Sequence, residues 1–453
     1  MLHNKQNGKN SFRVCVVGAG AAGICAARRV VEELPRAEVC VFEQSDQLGG
    51  TWVFREQSSP ETHSSMYAGL RTNIPKEIMN FSGFPIESVD FPDHHNPDDS
   101  FPRHEVILSY LQRFAEPIKH LVQYNLRIAS IVPVERKDSD NSEFKWRINA
   151  ERVLGKQKFA EYFDVVFVCT GHYWCPRIPD FANKFRTTRW AHSHSYRRAQ
   201  HFAGMRVAVV GANLSGVEIA LQLTEHVEKV YLINSSQRTV IEKSTPANSL
   251  LELNGSRVID VVDDSLVLAD GRIIGGLDFV LFCTGYCFNF PFFDQSQKNS
   301  SVIFCDGNFV SPLIGHVAHP DYLKALFFIG LNLLVDPFPC FDVQTHFALA
   351  LLKDRVPNAS ERFTMEVAKH WEQKRIKRMN ADKIGQKNFH KLGPNQWEYF
   401  DWLNSLSGFK PLPKVVEHIY KCNLELKREN PLTYRNFRYQ IVDEQKFRTE
   451  LYK

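Results

Sequence analysis

Three glycines set the first chemistry in this chain. Gly18, Gly20 and Gly23 follow the apolar run Val14-Cys-Val-Val17 and open a small-residue stretch from Ala21 to Arg28. A strand running into Gly-x-Gly-x-x-Gly and then a helix aims backbone N–H groups and a partial positive charge at a pyrophosphate. Gly18 lets the chain turn, Gly20 lets the backbone approach phosphates, and Gly23 lets helix and strand pack closely. Ala19, Ala21 and Ala22 keep the same turn free of bulk. The next apolar run, Glu38-Val-Cys-Val-Phe42, ends in Glu43, 20 positions beyond Gly23. A carboxylate at that place accepts the hydroxyls of a ribose. A glycine-rich turn in an ordinary α/β domain is the plainer alternative. The order of strand, glycines, helix, strand and acid argues against it.

A second unit of the same kind starts at Gly204. Arg206-Val-Ala-Val-Val210 reads as a strand, Gly211-Ala-Asn213-Leu-Ser215-Gly216 as the turn, and Val217-Glu218 onward as the helix. Asn213 stands where the middle glycine is expected, and asparagine tolerates positive φ, so the turn survives on paper. The partner strand Lys229–Asn234 ends without an acid. Ser235, Ser236 and Arg238 follow it, which suits a 2′-phosphate and hence NADPH over NADH. A structural repeat without a ligand is the alternative for this unit.

Other stretches must position these turns. Gly49-Gly50-Thr51-Trp52 can wrap a cofactor just past Glu43, although a lone tryptophan is more often core. From Phe54 to about Pro102 regular pattern is weak, and this stretch carries Thr72-Asn73-Ile74; loops this long are usually functional. A helix opens at Phe101-Pro-Arg-His-Glu105. A hairpin is predicted over 144–160, and a buried strand over Tyr162–Cys169 ends in Thr170-Gly171-His172. Leu277 to Phe282 repeats that pattern and ends in Cys-Thr-Gly-Tyr286. Ala325–Leu331 reads as a last buried strand, a helix opens at Phe341 and holds Gln344, and the remainder from Ala359 reads as helical. The fold class is therefore α/β, with two Rossmann-like dinucleotide-binding domains, the second inserted in the first, and a helical C-terminal segment. The expected boundaries are 1–175, 176–278 and 279–453.

Composition narrows the class further. The 453 residues are 43% hydrophobic and 23% charged with a formal net charge of +4, which fits a soluble multidomain protein and gives no nucleic-acid patch. The basic run Lys374-Arg375-Ile-Lys377-Arg378 reads as one solvated helix face. Ten scattered cysteines without a CxxC indicate free thiols in a reducing, cytoplasmic setting. No run reaches the ~18 apolar residues of a membrane span. Neither a signal peptide nor metal-ligand spacing is visible. Two unlike nucleotide cradles in one chain, one with a ribose acid and one with an arginine, imply FAD and NADPH and hydride transfer between them.

The motifs Gly18-x-Gly20-x-x-Gly23, Gly49-Gly-Thr-Trp52, Thr72-Asn73, the turn ending Ser215-Gly216, and Phe282-Cys-Thr-Gly-Tyr286 resemble those of the flavin-containing monooxygenases, over about Phe12 to Val442. The wording His63-Ser-Ser-Met-Tyr67 and Arg71–Glu77 resembles the insect branch. The resemblance implies NADPH- and O2-dependent oxygenation of an amine or sulfide through a flavin C4a-hydroperoxide. It implies Asn73 as the residue beside flavin and nicotinamide, an uncharged donor and acceptor that holds both in register. It places FAD against Gly18 to Ala22, Glu43, Gly50, Thr51, Trp52, Ile74 and Gln344. It places NADPH against Thr72, Gly211, Ser215, Gly216, Val217, Glu218 and Arg238. Microsomal members of the family end in a hydrophobic tail, whereas Glu444–Lys453 is polar, so a soluble enzyme is expected, and the reading is compatible with a homo-oligomer. The family signature is met only in part: His192 and Tyr196 are kept, while Arg186 and Thr188 stand at its Phe and Gly positions. That departure puts the local packing there in question. Tyr196, where Baeyer–Villiger relatives carry Trp, leans away from ketone oxidation. A Baeyer–Villiger or N-hydroxylating enzyme and a non-catalytic FAD-binding scaffold remain as alternatives. A disulfide reductase would need a redox cysteine pair that the chain lacks.

Overall fold

A computed structural model describes residues 12–57, 64–134, 145–237, 249–294 and 302–452. Strand Arg13–Val17 alternates between two cores, Val14 and Val16 facing one and Cys15 and Val17 the other. Both faces of the strand are thus covered, as its unbroken apolar run requires. It lies at the centre of a five-stranded parallel sheet, in the order Leu326–Phe328, Val165–Val168, Arg13–Val17, Glu38–Phe42, Val122–Gln123. Helices Ala21–Glu33 and Pro337–Leu352 cover one face. An antiparallel three-stranded sheet, Leu126–Pro133, Trp146–Arg152 and Lys158–Phe163, covers the other with the Phe288–Phe293 stretch.

The second parallel sheet repeats the plan: Leu250–Asn254, Lys229–Asn234, Arg206–Val210, Phe279–Phe282, Arg189–His192. In each sheet the central strand feeds a glycine turn and a helix. Its neighbours are the partner strand on one side and a strand running into Cys-Thr-Gly on the other. The α/β class with two Rossmann-like sheets stands.

Four expectations need correction. Phe279–Phe282 pairs with Arg206–Val210, so the second sheet extends past the boundary expected after 278. Tyr162 and Phe163 belong to the antiparallel sheet, and the strand before Cys169 is only Val165–Val168. The helix carrying Gln344 starts at Pro337, because proline suits a first helical turn. The C-terminal segment is helical over Met365–Ala381, Gln396–Ser407 and Lys414–Glu429 but ends in a hairpin, Phe437–Ile441 against Phe447–Leu451. The residue types Phe437-Arg-Tyr-Gln-Ile441 alternate apolar and polar about a buried Tyr439, a period of two that a helix cannot use.

Candidate active site between two glycine turns

The first turn is built as its glycines require. Gly18 has φ +100° and donates to the Phe42 carbonyl at 2.8 Å. A Cβ on Gly23 would lie 1.8 Å from the Gly18 oxygen. Gly20 caps helix Ala21–Glu33 with no side-chain bond and no acid in the first turn, so its leading N–H groups face outward for an anion. Glu43 is buried at the end of its strand and accepts from Ala19 N at 2.7 Å and from Ser45 N at 2.8 Å and Oγ at 2.7 Å. The turn itself therefore holds the carboxylate beside the phosphate cradle. Gly49 N donates to Ala19 O at 2.9 Å, and a Cβ on Gly50 would come within 2.9 Å of the Gly20 Cα. The Gly49–Trp52 stretch thus folds back onto the turn, with Trp52 half-buried against the first core.

The residues fit a flavin dinucleotide on a further observation. Thr170, adjoining the Gly18 turn, has a buried Oγ1 without a partner, and so does His172 at Nε2. His172 Nδ1 lies 3.0 Å from the Gly330 carbonyl, and burial pushes its pKa down to about 4, so the ring is neutral. Buried polar atoms are normally bonded, so two unpartnered ones beside a phosphate cradle suit a polar ligand. Gln344 stands differently from expectation. It is fully buried, accepts from Gly330 N at 2.9 Å, and donates to Asn332 Oδ1 at 2.6 Å and Tyr399 Oη at 2.8 Å. Its amide is spent inside the protein, so any effect on a cofactor passes through the Gly330 turn.

The second turn copies the first. Gly211 has φ +108°, and a Cβ on Gly216 would lie 1.8 Å from the Gly211 oxygen. Asn213 has φ −77° and ψ −178°, nearly the values of Gly20. The positive φ expected of Asn213 belongs to Gly211, and the middle position accepts any L-residue. Asn213, Leu214 and Ser215 are exposed, and helix Leu214–Leu223 also lacks a side-chain cap and an early acid. The Cys-Thr-Gly ends differ: Thr284 donates to the Arg177 carbonyl, whereas Thr170 is free. Arg238 lies outside the described residues. Glu218, expected at the nicotinamide cofactor, pairs with Arg435 at 2.9 Å.

The segment from Ser64 to Arg103 runs between the two units. Tyr67 and Leu70 pack in the core of the second sheet, and Met79 and Phe81 in that of the first. Ala68 N donates to Arg197 O and Thr72 N to Pro102 O, both at 2.9 Å. Thr72 is buried with Oγ1 unpartnered. Asn73 is half-buried, and no hydrogen bond to its side-chain amide exists among the described residues. Val217 and Ile74 are half-buried beside their cores. The structure thus brings the Thr72–Asn73 stretch onto the second glycine helix through Arg435, which bonds both. Sequence reasoning missed Arg435 and Asn423, for no motif marks them.

The altered signature packs soundly. Asp264 accepts from the amides of Arg186 at 2.6 Å and Thr187 at 3.1 Å and from Thr187 Oγ1 at 2.8 Å. Those bonds hold the Asp264 carboxyl down to about 2. His192 closes its strand, and Tyr196 is buried with its hydroxyl on Gln222 at 2.9 Å.

Comparison with known proteins agrees with this geometry. The flavin-binding monooxygenase-like family model matches residues 11–252 and 248–419. Flavin-containing monooxygenase FMO GS-OX-like 4 of Arabidopsis thaliana is 31% identical over 446 residues, covering 94% of each chain. FMO GS-OX5 of the same plant is 31% identical, covering 89% of this chain and 86% of its own. Among solved structures, S-allyl-L-cysteine S-oxygenase from Allium sativum superposes with a TM-score of 0.79 at 27% identity and 94% coverage of each chain. Tmm from Pelagibacter sp. strain HTCC7211 shares the fold, with a TM-score of 0.75 at 24% identity, covering 96% of this chain and 95% of its own. The sequence relatives named are plant proteins, which lends no support to the insect branch. With two unlike nucleotide cradles on one chain and this match across nearly all of it, the protein belongs to the flavin-binding monooxygenase-like family and is a flavin-containing monooxygenase that uses FAD and NADPH.

Proposed function

We propose that this enzyme oxygenates a soft sulfur or nitrogen atom of a small molecule, with a thioether as the leading substrate class. The observation that carries the site assignment is the Thr72–Asn73 stretch, tied to the glycine helix that would bind NADPH while its continuation packs in the core that would bind FAD. The sulfide preference draws on the relative whose structure is titled an S-oxygenase. Bound flavin, reduced by NADPH, supplies the activation of dioxygen.

The chain's own residues supply position. The Gly18–Gly23 turn and the uncapped helix start hold the FAD pyrophosphate, and Glu43, already oriented by Ala19 and Ser45, accepts the ribose hydroxyls. Gly50, Thr51 and Trp52 close over that turn. Gly211, Ser215, Gly216 and Val217 would hold the NADPH pyrophosphate in the same way, and Arg238 would meet its 2′-phosphate. Thr72 offers a buried hydroxyl, and Asn73 offers an amide without charge, able to donate and accept at once. Glu218 acts on this site through Arg435, and Gln344 through Gly330. Burial pushes His172 and His192 each to about 4, so both rings are neutral at ordinary pH.

Domain limits near residues 175 and 278, with the second sheet running on through Phe282, a cytoplasmic location and the insect branch belong to the same reading. The branch rests on the wording of residues 63–67 and 71–77 alone. Among the described residues no helix is long and apolar enough to cross a membrane. The test is a screen of thioethers and tertiary amines with the FAD-loaded protein, following NADPH consumption and product mass. An added 16 mass units on a thioether supports the proposal. Oxygen inserted beside a ketone would favour the Baeyer–Villiger alternative, and no NADPH consumption the scaffold.

A further inference from the structure

Three successive carbonyls leave the candidate catalytic stretch toward the C-terminal segment, and each is met by a side chain from it. Arg435 donates from Nη2 to Arg71 O at 3.3 Å and from Nε to Thr72 O at 2.9 Å. Asn423, on helix Lys414–Glu429, donates from Nδ2 to Asn73 O at 3.1 Å. Arg71 returns the contact, giving Nη2 to Arg435 O at 3.5 Å while it pairs with Asp99 at 2.8 Å. The same Arg435 guanidinium reaches Glu218 on the second glycine helix at 2.9 Å, and both side chains are 19% exposed. One fork thus joins the Thr72–Asn73 backbone to the helix whose start forms the second cradle.

The Asn73 side chain has no partner of its own among the described residues. No side-chain hydrogen bond among the described residues fixes it, whereas its backbone is held from the C-terminal side. A guanidinium is suited to this task because its planar donors act in several directions at once, which an ammonium cannot match in the same plane. Bonds from a charged donor are also about twice as strong as neutral ones. Asn423 is almost fully buried, so its amide has few other orientations available.

We infer that Arg435, seconded by Asn423, is a positioning residue that keeps Asn73 in register with the NADPH cradle. The inference rests on the assignment of Asn73 in the proposed function. The C-terminal helices and hairpin, which carry no nucleotide motif, then serve as the brace of the reacting site, and Glu218 works as the anchor of that brace.

The experiment uses the FAD-loaded enzyme and the variants Arg435→Ala, Arg435→Lys and Glu218→Gln. One readout needs no turnover: hydrogen exchange of a peptide spanning residues 68–80, without nicotinamide cofactor. Losing charged hydrogen bonds should raise exchange in Arg435→Ala by roughly tenfold or more. The second readout is the hydrogen peroxide released per NADPH consumed with substrate present. It should rise severalfold in Arg435→Ala with FAD content retained, and Arg435→Lys should recover only part of the loss. Glu218→Gln should fall between wild type and Arg435→Ala in both readouts. Exchange and peroxide release both at wild-type levels in Arg435→Ala would overturn the inference. Faster exchange with wild-type coupling would also overturn it, because the contact would then order the loop without positioning Asn73. Should Arg435→Ala not fold, the Lys and Gln variants decide by the same readouts. A wild-type protein that never consumes NADPH would sink the proposed function separately, while the exchange data still judge the clamp.

Discussion

Gly23→Ala measures how tightly the first cradle is built. The added Cβ would sit 1.8 Å from the Gly18 oxygen and 2.9 Å from its carbonyl carbon. A comfortable C···O approach is about 3.3 Å, so turn and helix must part by about 1.5 Å. Neither wall yields easily. Gly18 is bonded to Phe42 at 2.8 Å, the helix start is fixed by Ile24 N to Gly20 O at 3.0 Å, and the Cys169 Cβ waits at 3.4 Å. Forcing a methyl group into such a site costs about 1–3 kcal/mol. Where that cost falls on the FAD-bound form, affinity drops about 5-fold to 140-fold. Gly20→Ala is the control, since its Cβ would meet only the Gly50 Cα at 3.6 Å, an ordinary contact. It should leave the FAD-free protein as stable as wild type and weaken FAD alone. The assay is flavin affinity by fluorescence titration, with thermal unfolding of the flavin-free protein alongside. A Gly23→Ala protein with wild-type affinity and stability would refute the close-approach argument. Gly216→Ala has the same 1.8 Å clash in the second turn. It should keep flavin and lose NADPH affinity, and the reverse pattern would exchange the two cradles.

Three further outcomes are expected. Asn73→Ala should keep its flavin and oxidise NADPH but divert most of the oxygen to peroxide; full coupling to product would remove Asn73 from the site. Arg238→Ala should raise the KM for NADPH by about tenfold or more, the worth of a charge-assisted phosphate contact, and leave that for NADH nearly unchanged. Equal changes would end the phosphate role. Acid should destabilise the fold through its buried imidazoles. Burial lowers His192 to about 4 and His316 to about 3, and His390, 2.9 Å from His316, lies well below its ordinary value. The unfolded chain binds those protons first as pH falls through 6.5. Stability is therefore complete above 6.5 and is lost down to about 3, each separate group adding up to ~1.4 kcal/mol per pH unit. Urea denaturation across that window, with His316→Asn beside wild type, checks it: an unchanged slope in the variant would exclude His316.

Much of the site was legible because its chemistry is local. A glycine at positive φ, a second one facing a carbonyl, and an acid 20 positions later are all written within one βαβ unit. The strand Lys229–Asn234 was readable to its ends from its apolar run. Asn213 was assigned a strain that Gly211 bears, because spacing locates a turn without saying which residue carries the unusual angle. The terminal hairpin was missed because two short alternating runs resemble frayed helix once charge and aromatics are mixed.

By itself the sequence determined both glycine turns, the buried acid at Glu43, the two-sheet α/β plan and the family. Tertiary structure alone decided that Phe279–Phe282 joins the second sheet, that Gln344 serves Gly330, and that Asn423 and Arg435 hold residues more than 300 positions away. The physical reason is range. Backbone angles and hydrophobic period act over a few residues and leave a mark in the spacing of the chain. A side chain that donates to a distant carbonyl obeys only the geometry of the finished fold, and no spacing records it.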